Sequence, residues 1–347
     1  MPEGRKIRVL IVDDSAIVRR ALSEIVASHP DLEVAGTATD PFVARDKILA
    51  LKPDVLTLDI EMPRMDGLTF LRKLMKYHPL PVVVISSLGQ ASSRAALEAL
   101  QSGAVDVVAK PGGPYLVTEL RDQLANKIRA AAMATLRREK PAETAPVPVV
   151  RPRDRSVSLI AIGASTGGVE ALRCVLMALP PEMPPIVVVQ HIPAIFSAEF
   201  ARRLDKTCQI RVKEAADGDA LEDGRALIAP GNFHLTIRGS TSAFRAVVRG
   251  GDPVQYQRPS VDVLFESVAR EAGGSAAGVI LTGMGADGAA GLLAMKRAGS
   301  PTLAQNEASC VVFGMPREAI RLGAVDEIVP LDRIGPELAR YSFSPAR

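Results

Sequence analysis

Five polar side chains near the start of this chain could do chemistry together. Asp13 and Asp14, Asp59, Ser86 and Lys110 each follow a short apolar run: IRVLIV, DVLTL, PVVVI and DVVA. If those runs are neighbouring strands of an open parallel sheet, their carboxyl ends share one crevice. Three carboxylates crowded there repel one another. A divalent cation relieves the repulsion, and hard oxygen donors favour magnesium. Metal-bound carboxylates beside a lysine form a site that can take a phosphoryl group on one aspartate. Any of these residues alone would be read as a helix cap or a turn residue. It is their recurrence at successive strand ends that points to a switch.

A second set of residues lies further along the chain. SLIAIGASTGGVEAL has the pattern strand, small-residue turn, helix, with Ser165 and Thr166 between Gly163 and Gly168. A hydroxyl in such a turn sits at a helix amino end, where free amides stabilise negative charge. That geometry serves either a phosphate cradle or a nucleophilic serine. The cradle lacks its usual marks: the turn is neither GxGxxG nor GxxxxGK[ST]. The next apolar run, PIVVVQ, ends in His191, and GVILTGMGADG carries Asp287 in a glycine-rich turn. A serine, an imidazole and a carboxylate at neighbouring strand ends would act as nucleophile, base and orienting acid. The turn is not the GxSxG elbow, so this expectation rests on convergence of strand ends. Of the four histidines, His29 and His78 read as loop or helix-end residues, and His234 as a satisfied histidine in a strand or turn. Cys174, Cys208 and Cys310 are scattered, without a CxxC, which suggests neither disulfides, zinc nor a thiol nucleophile.

The elements needed to position these residues are legible. From residue 7 to about 125, apolar runs alternate with helix patterns such as AIVRRALSEIVASH, predicting a parallel sheet covered on both faces. From about Asn126 to Arg155 a basic helical stretch, KIRAAAMATLRREK, runs into a proline-rich, charged segment that reads as a linker. Beyond it, SLIAIG, PIVVVQ, GVILTG and PTLAQ read as buried parallel strands. RALIAPGNFHLTIRGSTSAFRAVVRG alternates more and predicts an antiparallel hairpin beside them. The length of 347 residues suits two or three domains, and 47% apolar residues suit a globular chain. A net charge of +3 gives no electrostatic case for nucleic acid or a membrane surface. The first residues turn acidic before any adequate apolar stretch, so no signal peptide is expected. No apolar run reaches membrane-spanning length.

IVDDS, LTLDIEMPRMDG, VISS and VVAKP resemble the marks of a response-regulator receiver domain. That resemblance implies a flavodoxin-like fold with Asp59 as phosphoacceptor. It implies magnesium held by Asp14, Asp59, the backbone carbonyl of Glu61 and, largely through water, Asp13. Ser86 would move toward the phosphoryl group and Lys110 would pair with it. AIGASTGG, VVQHIP, APGNFHL, RPSVDVLF and LTGMGADGA are similar to the catalytic domain of the chemotaxis protein-glutamate methylesterases, the CheB family. This second resemblance implies Ser165 as nucleophile, His191 as base and Asp287 as orienter, with no cofactor for the reaction. Thr166 and Met284 would support the site, Met284 through its backbone amide. Together the two resemblances imply a receiver over 1–125, a linker over 126–156 and a methylesterase domain over 157–347. They also imply an enzyme acting on chemoreceptors and phosphorylated by the histidine kinase CheA. The scattered cysteines suit reduced thiols in the cytoplasm. A short linker keeps the two domains at high effective concentration, and the unphosphorylated receiver is expected to cover the active site. Two rivals remain at this point. A DNA-binding response regulator would need a helix-turn-helix and a basic face after residue 150. A cofactor-binding output domain would use GASTGG as a phosphate turn.

Overall fold

The computed structural model describes residues 5–87, 89–110, 117–136, 157–240 and 243–342. The chain divides into two compact units, Met1–Lys140 and Pro141–Arg347.

In the first unit strands and helices alternate. The strands are β1 (Ile7–Val12), β2 (Leu32–Ala38), β3 (Val55–Asp59), β4 (Val82–Ser86) and β5 (Asp106–Ala109). The helices are α1 (Ala16–Ala27), α2 (Pro41–Leu51), α3 (Gly67–Tyr77), α4 (Gln90–Gln101) and α5 (Val117–Ala132). The sheet is wholly parallel, in the order β2-β1-β3-β4-β5. The order reverses between β1 and β3, and a crevice opens at that switch point. β3 and β4 are buried at every position, as befits strands covered on both faces. Three helices start where a side-chain oxygen accepts exposed amides: Ser15 for α1, Asp40 for α2 and Asp66 for α3.

α5 carries ordered structure past residue 126, where the sequence pattern suggested a linker. Leu124, Ala125, Ile128 and Ala131 are fully buried. Two of its cations are paired, Lys127 with Asp106 at 2.5 Å and Arg129 with Asp31 at 2.7 Å. The basic composition there hides an apolar stripe at i, i+4, i+7 spacing. The proline-rich part of the expected linker lies outside the described residues.

The second unit is also α/β. Its strands are β6 (Leu159–Ala164), β7 (Ile186–Gln190), β8 (Arg211–Glu214), β9 (Arg225–Ile228), β10 (His234–Ser240), β11 (Ala243–Arg249), β12 (Ala276–Ile280), β13 (Thr302–Gln305) and β14 (Glu327–Val329). Its α-helices are α6 (Gly168–Met177), α7 (Ala194–Asp205), α8 (Val261–Glu271), α9 (Ala289–Arg297), α10 (Met315–Arg321) and α11 (Leu331–Ser342). Seven strands form a parallel sheet, ordered β14-β13-β12-β6-β7-β9-β8. β10 and β11 form a separate antiparallel pair. The predicted hairpin is therefore present but begins later than the alternating pattern suggested. Its first stretch, RALI, is β9, paired in parallel with β7 and β8. A four-residue strand, RALI, carries too little pattern to show which sheet it joins. The order in the parallel sheet departs in both directions from β6. The switch point thus falls between β6 and β12, with β7 on the other side of β6.

Candidate functional site

Ser165 is the residue after β6, His191 the residue after β7, and Asp287 lies in the loop after β12. Ala164 and Gln190 are directly paired across β6 and β7. Ser165 and His191 each stand one residue beyond that pair, so their backbones are about 5 Å apart by strand spacing. His191 N–H donates to Ala164 O at 3.1 Å, which extends the ladder past the strands. The Gln190 side-chain amide donates to Ser165 O at 2.9 Å and ties the serine turn to the histidine strand.

Asp287 is the most heavily bonded carboxylate of the site. One oxygen accepts His191 Nε2–H at 2.8 Å and Val261 N–H at 2.8 Å. The other accepts Ser260 Oγ–H at 2.7 Å and Asp262 N–H at 3.0 Å. Asp287 thus sits on the amino end of α8, whose cap is Ser260. The bland alternative, a cap for the following helix, does not hold: α9 begins after Gly288, with no side-chain cap. Burial by itself would raise the Asp287 pKa. The hydrogen bond and charge of His191, with the Asp262 and Val261 amides, outweigh it and hold the carboxyl below its ordinary value.

Because a carboxylate only accepts, Nε2 of His191 donates to Asp287, which leaves Nδ1 as the ring nitrogen that can act as a base. Nδ1 is buried and has no hydrogen-bond partner among the described residues. It is the only ring nitrogen left to face a hydroxyl at the adjacent strand end. Ser165 itself is 8% exposed, so its turn opens only narrowly to solvent.

Close packing fixes the serine turn from the other side. A Cβ on Gly283 would lie 2.7 Å from the Ser165 Cβ, so only glycine fits there. Thr166 is buried, and its carbonyl accepts the Thr282 hydroxyl at 3.0 Å. Met284 follows Gly283, is half-buried, and its N–H makes no hydrogen bond among the described residues. The structure therefore brings Ser165, Thr166, His191, Met284 and Asp287 to one edge of the sheet.

His234 is a satisfied histidine, as its setting in the sequence suggested. Its Nδ1 accepts Ser260 N–H at 3.2 Å and its Nε2–H donates to Asp252 O at 3.0 Å. Through Ser260 it nonetheless supports the Asp287 cradle. Sequence reasoning missed this role and those of Ser260 and Gln190. A serine before the helical run VDVLF signals a helix start; nothing in the sequence says that the start grips a carboxylate 27 residues away.

In the first unit, ligand oxygens of Asp13, Asp14 and Asp59 lie within 4.8 Å of one another. Lys110 Nζ is 2.7 Å from Asp59 and 3.3 Å from Asp13. Burial raises the Asp59 pKa, with the Asp13 charge adding to it, against the opposing pull of Lys110 and the Glu61 amide. The Lys110 pKa is raised too: burial works against its charge, but Asp59 and Asp13 outweigh that and hold it above the ordinary value. Glu61 N–H donates to Asp59 Oδ1 at 3.0 Å, which sets that peptide beside the cluster. Among the described residues, Asp13 Oδ2 has no partner but the Lys110 ammonium, at 3.3 Å. Three carboxylates crowded around one ammonium fit a divalent cation. Ser86 lies at the end of β4 but is turned from Asp59; its hydroxyl donates to Ser92 O at 3.2 Å.

A phosphoacceptor-type pocket on one unit and a serine–histidine–aspartate constellation on the other define a response regulator with a hydrolase output. The family models agree. Residues 9–121 match the response regulator receiver domain and residues 160–338 match CheB methylesterase. The chain belongs to the CheB methylesterase family. The "protein-glutamate methylesterase/protein-glutamine glutaminase 2" of Syntrophus aciditrophicus is 56% identical over 96% of this chain and 99% of its own length. The Salmonella typhimurium protein of that name is 52% identical over 98% of this chain and 99% of its own. The crystal structure of the Thermotoga maritima CheB methylesterase catalytic domain aligns with a TM-score of 0.52 at 38% identity, covering 53% of this chain and 98% of that one. Among the described residues, no helix is long and apolar enough to cross a membrane.

Proposed function

We propose that this chain is a phosphorylation-activated chemotaxis methylesterase. It hydrolyses glutamate methyl esters on chemoreceptors, the methyl-accepting chemotaxis proteins, to glutamate and methanol. The relatives' names carry a second activity, deamidation of protein glutamine, and the same acyl chemistry serves it. One observation carries the reading. Asp287 fixes His191 through Nε2 and, among the described residues, leaves Nδ1 without a partner at the strand end beside Ser165.

In the mechanism, Nδ1 of His191 takes the Ser165 proton as Oγ attacks the ester carbonyl carbon. Proton transfer of this kind contributes on the order of 10²–10⁴ in rate. The Met284 amide supplies a donor for the oxyanion. The tetrahedral adduct collapses, the carbon–oxygen bond to methoxide breaks, and the Nδ1 proton leaves with methanol. Water then attacks the acyl-serine with Nδ1 again as base, releasing glutamate and restoring Ser165. Asp287 stays ionised and stabilises the imidazolium. An amide substrate follows the same course and releases ammonia.

The receiver is the switch. Asp59 takes a phosphoryl group from the histidine kinase CheA, and Lys110 balances the added charge. Asp14, Asp59 and the Glu61 carbonyl would hold magnesium, with Asp13 through water. That ion supplies charge neutralisation for phosphoryl transfer. Ser86 leaves Ser92 and turns toward the modified aspartate. The unphosphorylated receiver restrains the esterase, and a tenfold activation needs only about 1.4 kcal/mol of differential docking. The setting is the cytoplasm, where receptor signalling helices and kinase meet. The test is methanol release from membranes bearing methylated receptors. It is expected for the native chain and lost in Ser165→Ala; equal release by both sinks the reading.

A further inference from the structure

The loop between β11 and α8 spends conformational energy at its most exposed point. Val254 and Gln257 pair with each other in both directions, N–H to O at 3.0 and 2.9 Å. The two residues between them, Gln255 and Tyr256, have φ of 48° and 63°. This is a two-residue turn with both central residues left-handed, a setting in which asparagine followed by glycine is favoured. A side chain with a Cβ is strained there. Yet the second position holds a tyrosine that is 83% exposed. Burial cannot explain the ring, and strain of this kind persists where function demands it.

The turn is held rigidly at the active-site edge. Gln255 Nε2–H donates to Asp262 at 2.6 Å, and the Asp262 amide in turn donates to Asp287. Arg258 clamps Asn232 with two hydrogen bonds, of 2.9 and 2.6 Å. Asn232 lies just beyond the carboxyl end of β9, which pairs with the His191 strand. The next residue, Phe233, is 45% exposed, and Val254 is 36% exposed. Three exposed apolar side chains therefore stand on two clamped loops, one of them tied through Asp262 to Asp287. The same stretch carries Arg249 and Arg258 against one carboxylate, Asp252. Neither arginine is in an ion pair among the described residues.

We infer that Tyr256, with Phe233 and Val254 around it, is the docking surface for the receptor segment that presents the glutamyl ester. Resting on the proposed activity, the inference goes beyond it by naming what distinguishes a protein substrate from a free ester. An exposed tyrosine on a rigid turn offers a large contact at little entropic cost. Arg249, exposed beside the turn, suits a substrate surface that gains a carboxylate with each turnover.

The test compares membranes bearing methylated receptors with free glutamate γ-methyl ester, using the full chain. Tyr256→Gly relieves the left-handed strain, so its thermal midpoint should be no lower than native. Its KM for receptor should rise about tenfold with kcat held. The ratio of specificity constants, receptor over free ester, should fall about tenfold. Tyr256→Phe should keep that ratio within about twofold. An unchanged receptor KM in Tyr256→Gly overturns the inference. So does an equal loss on both substrates, or a rise in the activity of unphosphorylated protein, which would put the ring on the receiver. Ser165→Ala separates the two readings. If it stays active the proposed activity fails; if it is dead while Tyr256→Gly keeps its receptor KM, only the docking surface fails.

Discussion

Asp287 receives four hydrogen bonds, and only one comes from His191. The other three fix its position, so the imidazole is oriented by α8 as much as by the acid itself. Ser260→Ala removes one charge-assisted bond, of a kind worth roughly 1.5–3 kcal/mol. The expected outcome is a drop of about tenfold in kcat with KM unchanged, recovered in Ser260→Thr, measured with the free ester. A purely structural loss would lower the amount of folded enzyme without splitting kcat from KM. The acid also marks the stability profile. Its folded pKa lies below the unfolded value, so its contribution is complete above about pH 4. That contribution is lost as pH falls through the lowered folded value. In Asp287→Asn, thermal midpoints measured across the acid range should decline less steeply than in the native chain. An identical slope would mean that the carboxyl is no more stabilised in the fold than in the unfolded chain.

The elements that carry the site were largely legible because their signals are local. SLIAIG, PIVVVQ and GVILTG are continuous apolar runs that a sheet covered on both faces demands. Ser165 and His191 come directly from their ends, and Asp287 from the loop that follows the third. What was illegible depends on contacts between distant segments. Asp287 looks like a cap for the helix that follows it, and only the folded chain shows it capping α8. RALI reads as part of a hairpin because four residues cannot declare a sheet partner. Lys127 and Arg129 read as part of a basic helix, but its packing was illegible because their partners, Asp106 and Asp31, are far away in sequence. Phe233 and Tyr256 drew no notice, since exposure and backbone strain leave no trace in composition. Packing between elements yields its own prediction at Gly283. The alanine methyl would meet the Ser165 Cβ and the Met315 sulfur, and the sulfur alone can yield easily. Gly283→Ala should therefore cost on the order of 1–3 kcal/mol of stability, as overpacking does. It should also depress esterase kcat, because the serine turn must shift. Calorimetry and free-ester turnover on the same preparation check both; a native kcat would show that the turn tolerates the shift.

At the scale of the whole molecule, one unit carries a charge switch and the other an esterase, and the chain gains from joining them only if one controls the other. The receiver is poised for this by its own electrostatics. Asp59 has a raised pKa, so its ionised form is disfavoured in the fold. For a carboxyl shifted this way, stability is greatest at low pH and is lost as pH rises from the ordinary carboxylate value through the raised one. Anything that neutralises or rearranges charge beside Asp59 therefore releases free energy that can bias a two-state element. Magnesium added to the native chain near pH 7 should raise the receiver's thermal midpoint. In Asp59→Asn the same addition should do much less, because one of three clustered negative charges is gone. Control of the esterase is read by comparing three proteins: the full chain, Asp59→Asn, and residues 150–347. The last should fold alone, since its core is continuous across the parallel sheet and the hairpin. A phosphodonor should raise esterase turnover of the full chain about tenfold and leave Asp59→Asn unmoved. The fragment should match or exceed the activated chain without any donor. Equal turnover in all three would mean that the receiver exerts no restraint, and the switch would then have to act on receptor binding instead.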